Sequence, residues 1–388
     1  MSMKKFIYKS GLFFLPIAVI LFPAWIHLTG HREIKSVSEM VDQNQKNGGL
    51  IGLAYTDPMH LVKHAVIERR QPKIIALGTS RVLPIRGRFF TQPQLFYNCG
   101  RSVGKLQDLI GFINSYPGEK PQIMLLGLDQ DFFNVEDEDL LRPSRSYSWQ
   151  DGTYGTRLSK GTKALLKSLR DGEVTTGNTL PVASDYIGRN ARLYQEGYRR
   201  DGSYCYGRTF RQVGVKSKYD FGNTIRRIDK GKGRFATAKS INPKTLRQLA
   251  DFLECCKNNN IHVVAFLPPY AGKVYDRFGQ DAGSYPHVFD LHNQLKPLFV
   301  SHGLVCEDYS DIRSLGANDF ETTDGFHGSE VCYLKLLNKL SKEDKVLASY
   351  LDQSYIEQSI VGAFSARQII EEVPENDPKH PIRNLEER

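Results

Sequence analysis

Cysteine is scarce and unpatterned in this chain of 388 residues: Cys99, Cys205, Cys255, Cys256, Cys306 and Cys332, with no CxxC pair among the six. That absence argues against a zinc site, whose thiolates usually come in closely spaced pairs. There is no zinc-finger spacing and no basic-helix motif either, so nucleic acid is a poor partner even for a chain of net charge +9. Cys99 and Cys306 fall in apparent strands, where a thiol acts as a small apolar side chain. Which cysteines could pair outside the cytoplasm stays open. The vicinal Cys255-Cys256 lies on a predicted helix, where neighbours point to different faces, and takes no redox role. Nothing in the sequence asks for a metal or a cofactor.

Charge is missing from Gly11 to Leu28, an 18-residue run that meets the lower limit for a membrane-spanning helix. Pro16 and Pro23 are tolerated in such a helix. Lys4, Lys5 and Lys9 precede it and predict a cytoplasmic N-terminus, with the rest of the chain outside. A cleaved signal peptide is the rival reading, but no clear small-x-small site follows the run. The expected plan is therefore a cytoplasmic segment 1–10, an uncleaved anchor 11–28, a polar spacer 29–56, an α/β domain 57–350 and an acidic segment 351–388 whose Pro/Asn-rich end forms a mobile tail. The main domain would be periplasmic or on the outer face, with membrane lipid as a neighbour.

Positive charge is concentrated. From Arg142 to Lys239 there are 21 Lys/Arg against 8 Asp/Glu, a net of +13 within a chain of +9. This segment could face an anionic surface such as lipid headgroups or a charged polymer, or could be a solvated basic insertion.

Strand and helix patterns alternate after residue 57. Asp57-Pro58 reads as the start of a helix running to about Arg70. Apolar strands follow at 73–77, 95–98, 122–128, 261–267 and 303–307. Helical spacing occupies 105–116, 288–301 and 328–340, and Asn242-Pro243 opens another helix. Residues 135–240 break the rhythm and read as an insertion, with a short helix near 163–170. This alternation predicts a three-layer α/β/α domain on a mostly parallel five-stranded sheet, with ligands at the carboxyl ends of the strands.

Two short patterns meet at that edge. Gly78-Thr79-Ser80-Arg81 places a serine just after the first strand, and Asp324-Gly-Phe-His327 places a carboxylate three residues before a histidine. Together they suit a Ser-His-Asp acyl-transfer site. Each pattern has a twin: Asp57-Pro-Met-His60, explained as a helix start, and Gly100-Arg-Ser102, which keeps Ser102 as a rival nucleophile.

The order Ser80, Gly100, Asp129, Asp324, His327 resembles the SGNH (GDSL-type) esterase and acyltransferase superfamily, over about residues 73–341 without the insertion. Gly78-Thr79-Ser80 matches the first block, Asn98-Cys99-Gly100 the second, Gly127-Leu128-Asp129 the third and Asp324 with His327 the last. The resemblance implies Ser80 as nucleophile, His327 as base, Asp324 as its orienter, and an oxyanion site from the N–H groups of Ser80 and Gly100. Thr79 stands where the family commonly has an acidic residue. Asp129 stands where it usually has an asparagine donor, and an ionised carboxylate cannot donate, so either Asp129 is protonated, or it turns away, or Gln130 or Asn134 takes its place. Arg81 is a candidate for holding an anionic acceptor, or else an exposed arginine opening a helix. With the anchor, the chain looks like accessory proteins of cell-envelope acylation, such as the lipoteichoic-acid D-alanylation protein and polysaccharide O-acetylation factors. That implies a cell-envelope polysaccharide or anionic polymer as partner, and a multi-pass membrane-bound O-acyltransferase beside it. A scaffold that has lost turnover is the alternative.

Overall fold

Five of the apolar runs pair side by side, all parallel: β1 (Ile74–Leu77), β2 (Phe96–Asn98), β3 (Ile123–Gly127), β6 (His262–Leu267) and β7 (Val305–Asp308). Between β3 and β6 lies a small antiparallel hairpin of β4 (Glu196–Tyr198) and β5 (Tyr204–Tyr206). The structure is a computed structural model, and it describes residues 3–134, 151–172, 185–207, 209, 220–363 and 366–367.

The sheet order is β2-β1-β3-β6-β7. With the hairpin set aside this is a doubly wound order, and the winding reverses between β1 and β3. Register is uninterrupted at that junction, from Ile74 opposite Ile123 to Leu77 opposite Leu126. Side chains alternate along each strand, and both faces are buried. Ile75, Leu77, Met124, Leu126, Val263 and Ala265 enter one core, packed by helices that include Met59–Arg70, Pro243–Asn258 and Leu291–Ser301. Ile74, Ala76, Ile123, Leu125, Val264 and Phe266 enter the other, covered by Glu330–Glu343 and by Leu347 and Ile356 beyond it. The result is the expected three-layer α/β/α architecture.

The plan differs from the sequence reading in three places. Residues 31–56 are not a free spacer. Ser36 and Glu39 form a capping box that starts the helix Val37–Asn47, whose Val37, Met40 and Val41 join the first core. Ile51 bridges to both Tyr198 and Ile187, so this segment and the insertion hold each other. The insertion contributes the helix Tyr154–Arg170, which packs on the end of the N-terminal helix through Leu165, Leu28 and Ala24. Finally, the chain beyond residue 350 adds the helix Gln353–Val361, and Ile356 is buried in the second core. The acidic end from residue 371 lies outside the described residues.

One helix, Met3–Gly30, covers the charge-free run. Most of its side chains between residues 6 and 20 lie outside those described. No helix among the described residues is long and apolar enough to cross a membrane.

Candidate functional site

The carboxyl ends of β1, β2, β3 and β6 converge where the sheet reverses. Gly78 ends β1 tightly, since a Cβ there would lie 2.8 Å from Val82 Cγ1 and 2.9 Å from the Gly127 carbonyl. A glycine therefore lets the chain turn against β3 and lift Ser80 clear of the sheet. Ser80 opens a 3-10 turn, Ser80–Val82, capped by Thr79 Oγ1.

The Asp324–His327 turn reaches the same place from the far end of the chain. Bridge pairing of Thr322 with Gly328 closes it, and the Thr323 N–H donates to the His327 carbonyl at 2.9 Å. Gly325 adopts φ +92°, and a Cβ there would meet Val274 Cγ2 at 2.5 Å. The Phe326 and His327 N–H groups donate to Asp324 Oδ1 at 3.2 and 3.0 Å, which aims the carboxylate back at its own histidine.

The three side chains form a continuous relay. His327 Nδ1 lies 2.8 Å from Asp324 Oδ2, and Ser80 Oγ lies 2.8 Å from His327 Nε2. A carboxylate only accepts, so Nδ1 carries the proton and Nε2 is left to accept from the serine hydroxyl. Burial pushes the Asp324 carboxyl up, but the His327 ring and the two N–H donors outweigh it and hold the group below the usual carboxylate range. Asp324 therefore stays ionised beside the ring.

Ser102, the rival, is buried, and its hydroxyl has no partner among the described residues. His60 lies in the first turn of the helix Met59–Arg70, and Asp57 pairs with Arg101 at 2.8 Å.

The expected oxyanion donors are arranged differently. Ser80 is first in its turn, so its N–H has no intrahelical acceptor. The Gly100 N–H, however, donates to Asn98 Oδ1 at 2.8 Å, while Asn98 Nδ2 donates to the Val82 and Ile85 carbonyls. Gln130 is fully buried and spends its amide on the Pro268 carbonyl and Ser310 Oγ. Asn134 gives its amide to the Ala236 carbonyl at 2.7 Å. These two do not replace a donor at position 129.

Asp129 is wholly buried and ionised. Burial raises its carboxyl, yet Arg234, Arg81 and the Thr79 hydroxyl together bring it below its ordinary value. Thr79 Oγ1 and Arg234 Nη1 both donate to Asp129 Oδ2, at 2.6 and 2.8 Å, and Arg81 Nη1 lies 3.7 Å from Oδ1. Asp131, 3.5 Å from Arg234 Nη1, is pushed by burial up to about 6.

Arg81 is neither an acceptor-binding arm nor an exposed helix opener. It is completely buried, with Nε donating to the Phe326 carbonyl, Nη1 to Gln130 Oε1 and Nη2 to the Pro268 and Pro269 carbonyls. Its guanidinium also lies 4.3 Å from the Tyr270 ring centre. It ties the residue before His327 to the ends of β3 and β6.

Several residues here carried no signal in the sequence. Lys63 is buried, and its ammonium donates to the carbonyls of Asn98, Gly100 and Gly202, which pins the loop after β2. Burial lowers its pKa to about 7. Thr224 donates to the Asp324 carbonyl at 2.7 Å, so the helix Gly222–Asp229 braces the turn from outside. Some of the basic segment's charge also points inward: Arg234 to Asp129, and Arg199 to buried Glu330 at 2.7 Å. All six cysteines are free thiols, and among the described residues no group of His, Cys, Asp or Glu is placed to hold a metal.

Fold and site together define a class: a hydroxyl–imidazole–carboxylate relay at the reversal point of a doubly wound parallel sheet. Protein-family models, curated proteins and solved structures give no match to this chain.

Proposed function

We propose that this protein is a serine acyltransferase or esterase of SGNH type, acting on O-acetyl or similar acyl groups of a cell-envelope polysaccharide or polymer. The observation that carries the proposal is the relay from Ser80 Oγ through His327 to Asp324, with both links at 2.8 Å. Ser80 Oγ bonds to the acyl carbon as the carbonyl π pair moves onto oxygen, and His327 Nε2 takes the serine proton. The oxyanion then collapses, the alcohol leaves with the proton from His327, and an acyl-serine remains. A second hydroxyl, from water or sugar, reverses these steps. The Ser80 N–H is positioned as one oxyanion donor. The charge-free run 11–28 behind Lys4, Lys5 and Lys9 in the sequence supports a single-pass anchor and an extracytoplasmic domain.

A scaffold that binds glycan or a membrane-bound O-acyltransferase draws on two observations, the carboxylate at 129 and the engaged Gly100 N–H. Fluorophosphonate labelling of the full chain separates the readings. Covalent modification at Ser80, lost in His327→Ala, supports the enzyme. A folded chain that resists labelling under conditions that label an active serine esterase refutes it and favours the scaffold.

A further inference from the structure

The carboxylate at the end of β3 raises a chemical problem that Arg234 resolves. A neutral amide there could donate to a developing oxyanion, whereas Asp129 would repel it. Asp129 is fully buried, however, and its Oδ2 is already occupied by Thr79 and Arg234. What this position offers to the crevice is therefore the guanidinium it holds. Arg234 sits in a 3-10 turn, Gly233–Phe235, whose Phe235 is anchored in the cluster that also contains Phe326.

Three observations put the guanidinium beside the residues that flank the relay. It shares an oxygen with Thr79, so it lies within two hydrogen-bond lengths of the hydroxyl on the residue before the nucleophile. Its carbon is 5.7 Å from the ring centre of Phe326, and that ring is 4.3 Å from the His327 ring. Among the described residues only Nη1 has acceptors; Nη2 and Nε have none, and the Arg234 side chain is 23% exposed.

We propose that Arg234 is a catalytic residue, donating to the oxyanion from Nη2 or Nε, with Asp129 as the positioning residue that holds it there. This rests on the acyl-serine reading above. As Ser80 Oγ bonds to the acyl carbon, the charge that collects on the carbonyl oxygen is met by the Ser80 N–H and by the Arg234 guanidinium. No proton is transferred from arginine, which stays charged throughout. The pair is thus a charged replacement for an amide donor: a carboxylate that cannot donate, holding a guanidinium that can.

The test measures acylation of Ser80 in the full-length protein by p-nitrophenyl acetate, read as p-nitrophenol release and as acetyl-Ser80 by mass spectrometry. Arg234→Ala should slow acylation about a hundredfold, with the half-saturating ester concentration unchanged, and millimolar guanidinium should restore about a tenfold share. A merely structural role for Arg234 predicts no rescue by guanidinium. Because Arg234→Ala leaves a buried carboxylate short of a partner, the double variant Arg234→Ala/Asp129→Asn is measured beside it. The double variant removes both charges and puts an amide donor at 129, so it should acylate faster than Arg234→Ala. If wild type acylates and both variants stay within about threefold of it, or if the folded double variant is as slow as Arg234→Ala and neither responds to guanidinium, the role is overturned. If wild type forms no acetyl-Ser80, the acyl-serine reading falls first and takes this role with it.

Discussion

Replacing Arg81 is the most demanding test of how the site is held. In Arg81→Met the stem volume is kept and the guanidinium is lost. Phe326 O, Pro269 O and Gln130 Oε1 lose the donors that reach them at 3.1, 2.9 and 2.7 Å, while Pro268 O keeps the Gln130 amide. Three buried acceptors left short, at about 1 kcal/mol each or more, give roughly 3 kcal/mol. Asp129 also loses a buried positive neighbour, and breaking a buried pair costs about 3–5 kcal/mol, a figure that overlaps with the first rather than adding to it. The expected loss is about 4 kcal/mol, a large part of the roughly 5–15 kcal/mol that holds a domain folded. Arg81→Lys keeps the charge but not the fork, and should lose about half as much. Urea unfolding of the full chain, followed by far-ultraviolet circular dichroism, measures both. Fluorophosphonate labelling of Arg81→Lys under native conditions should also be slower, because the Phe326 carbonyl next to His327 loses its tether. An Arg81→Met protein within about 1 kcal/mol of wild type would refute the view that this buried fork holds the strand ends together.

Two further outcomes are expected. Asp324→Asn should lower Ser80 acylation by roughly 10³–10⁴ with little change in stability, because the amide no longer holds His327 Nδ1 as a donor; a loss under about tenfold in p-nitrophenol release would break the assigned role. Glu33 is buried, and burial raises its carboxyl to about 7 against the partial offset of N–H donors from Arg189, Ala54 and Tyr55. The folded state then keeps a proton that the unfolded chain releases above about 4.5, so this contribution is full in acid and is lost as pH rises through 7. Between pH 4 and pH 8 the stability of wild type relative to Glu33→Gln should fall by about 3 kcal/mol, and a difference that does not change with pH would contradict it.

The strands were legible because each is a short apolar run with a breaker at its end, and the parallel sheet buries both faces, so period and burial agree at Ile74–Leu77 and His262–Leu267. Ser80, Asp324 and His327 were legible for a related reason: their spacings are local, and strand ends set where they meet. The partners of Arg81 and Asp129 were not legible because the partner of a charged side chain depends on tertiary proximity. Nothing around Gly233–Phe235 marks Arg234 as the counter-ion of a residue 105 positions earlier. The segment 31–56 looked like a spacer because it is polar overall, yet Val37, Met40 and Val41 suffice to dock one helix.

The relay joins residues 247 apart in the chain, and that separation is also an interval of time. At 5–20 residues per second, roughly 12–50 s pass between the synthesis of Ser80 and that of His327. Throughout that interval the nucleophile is an ordinary serine hydroxyl in the turn after β1, without the histidine that would take its proton. Reactivity arrives late, with the Asp324–His327 turn, after most of the chain has been made.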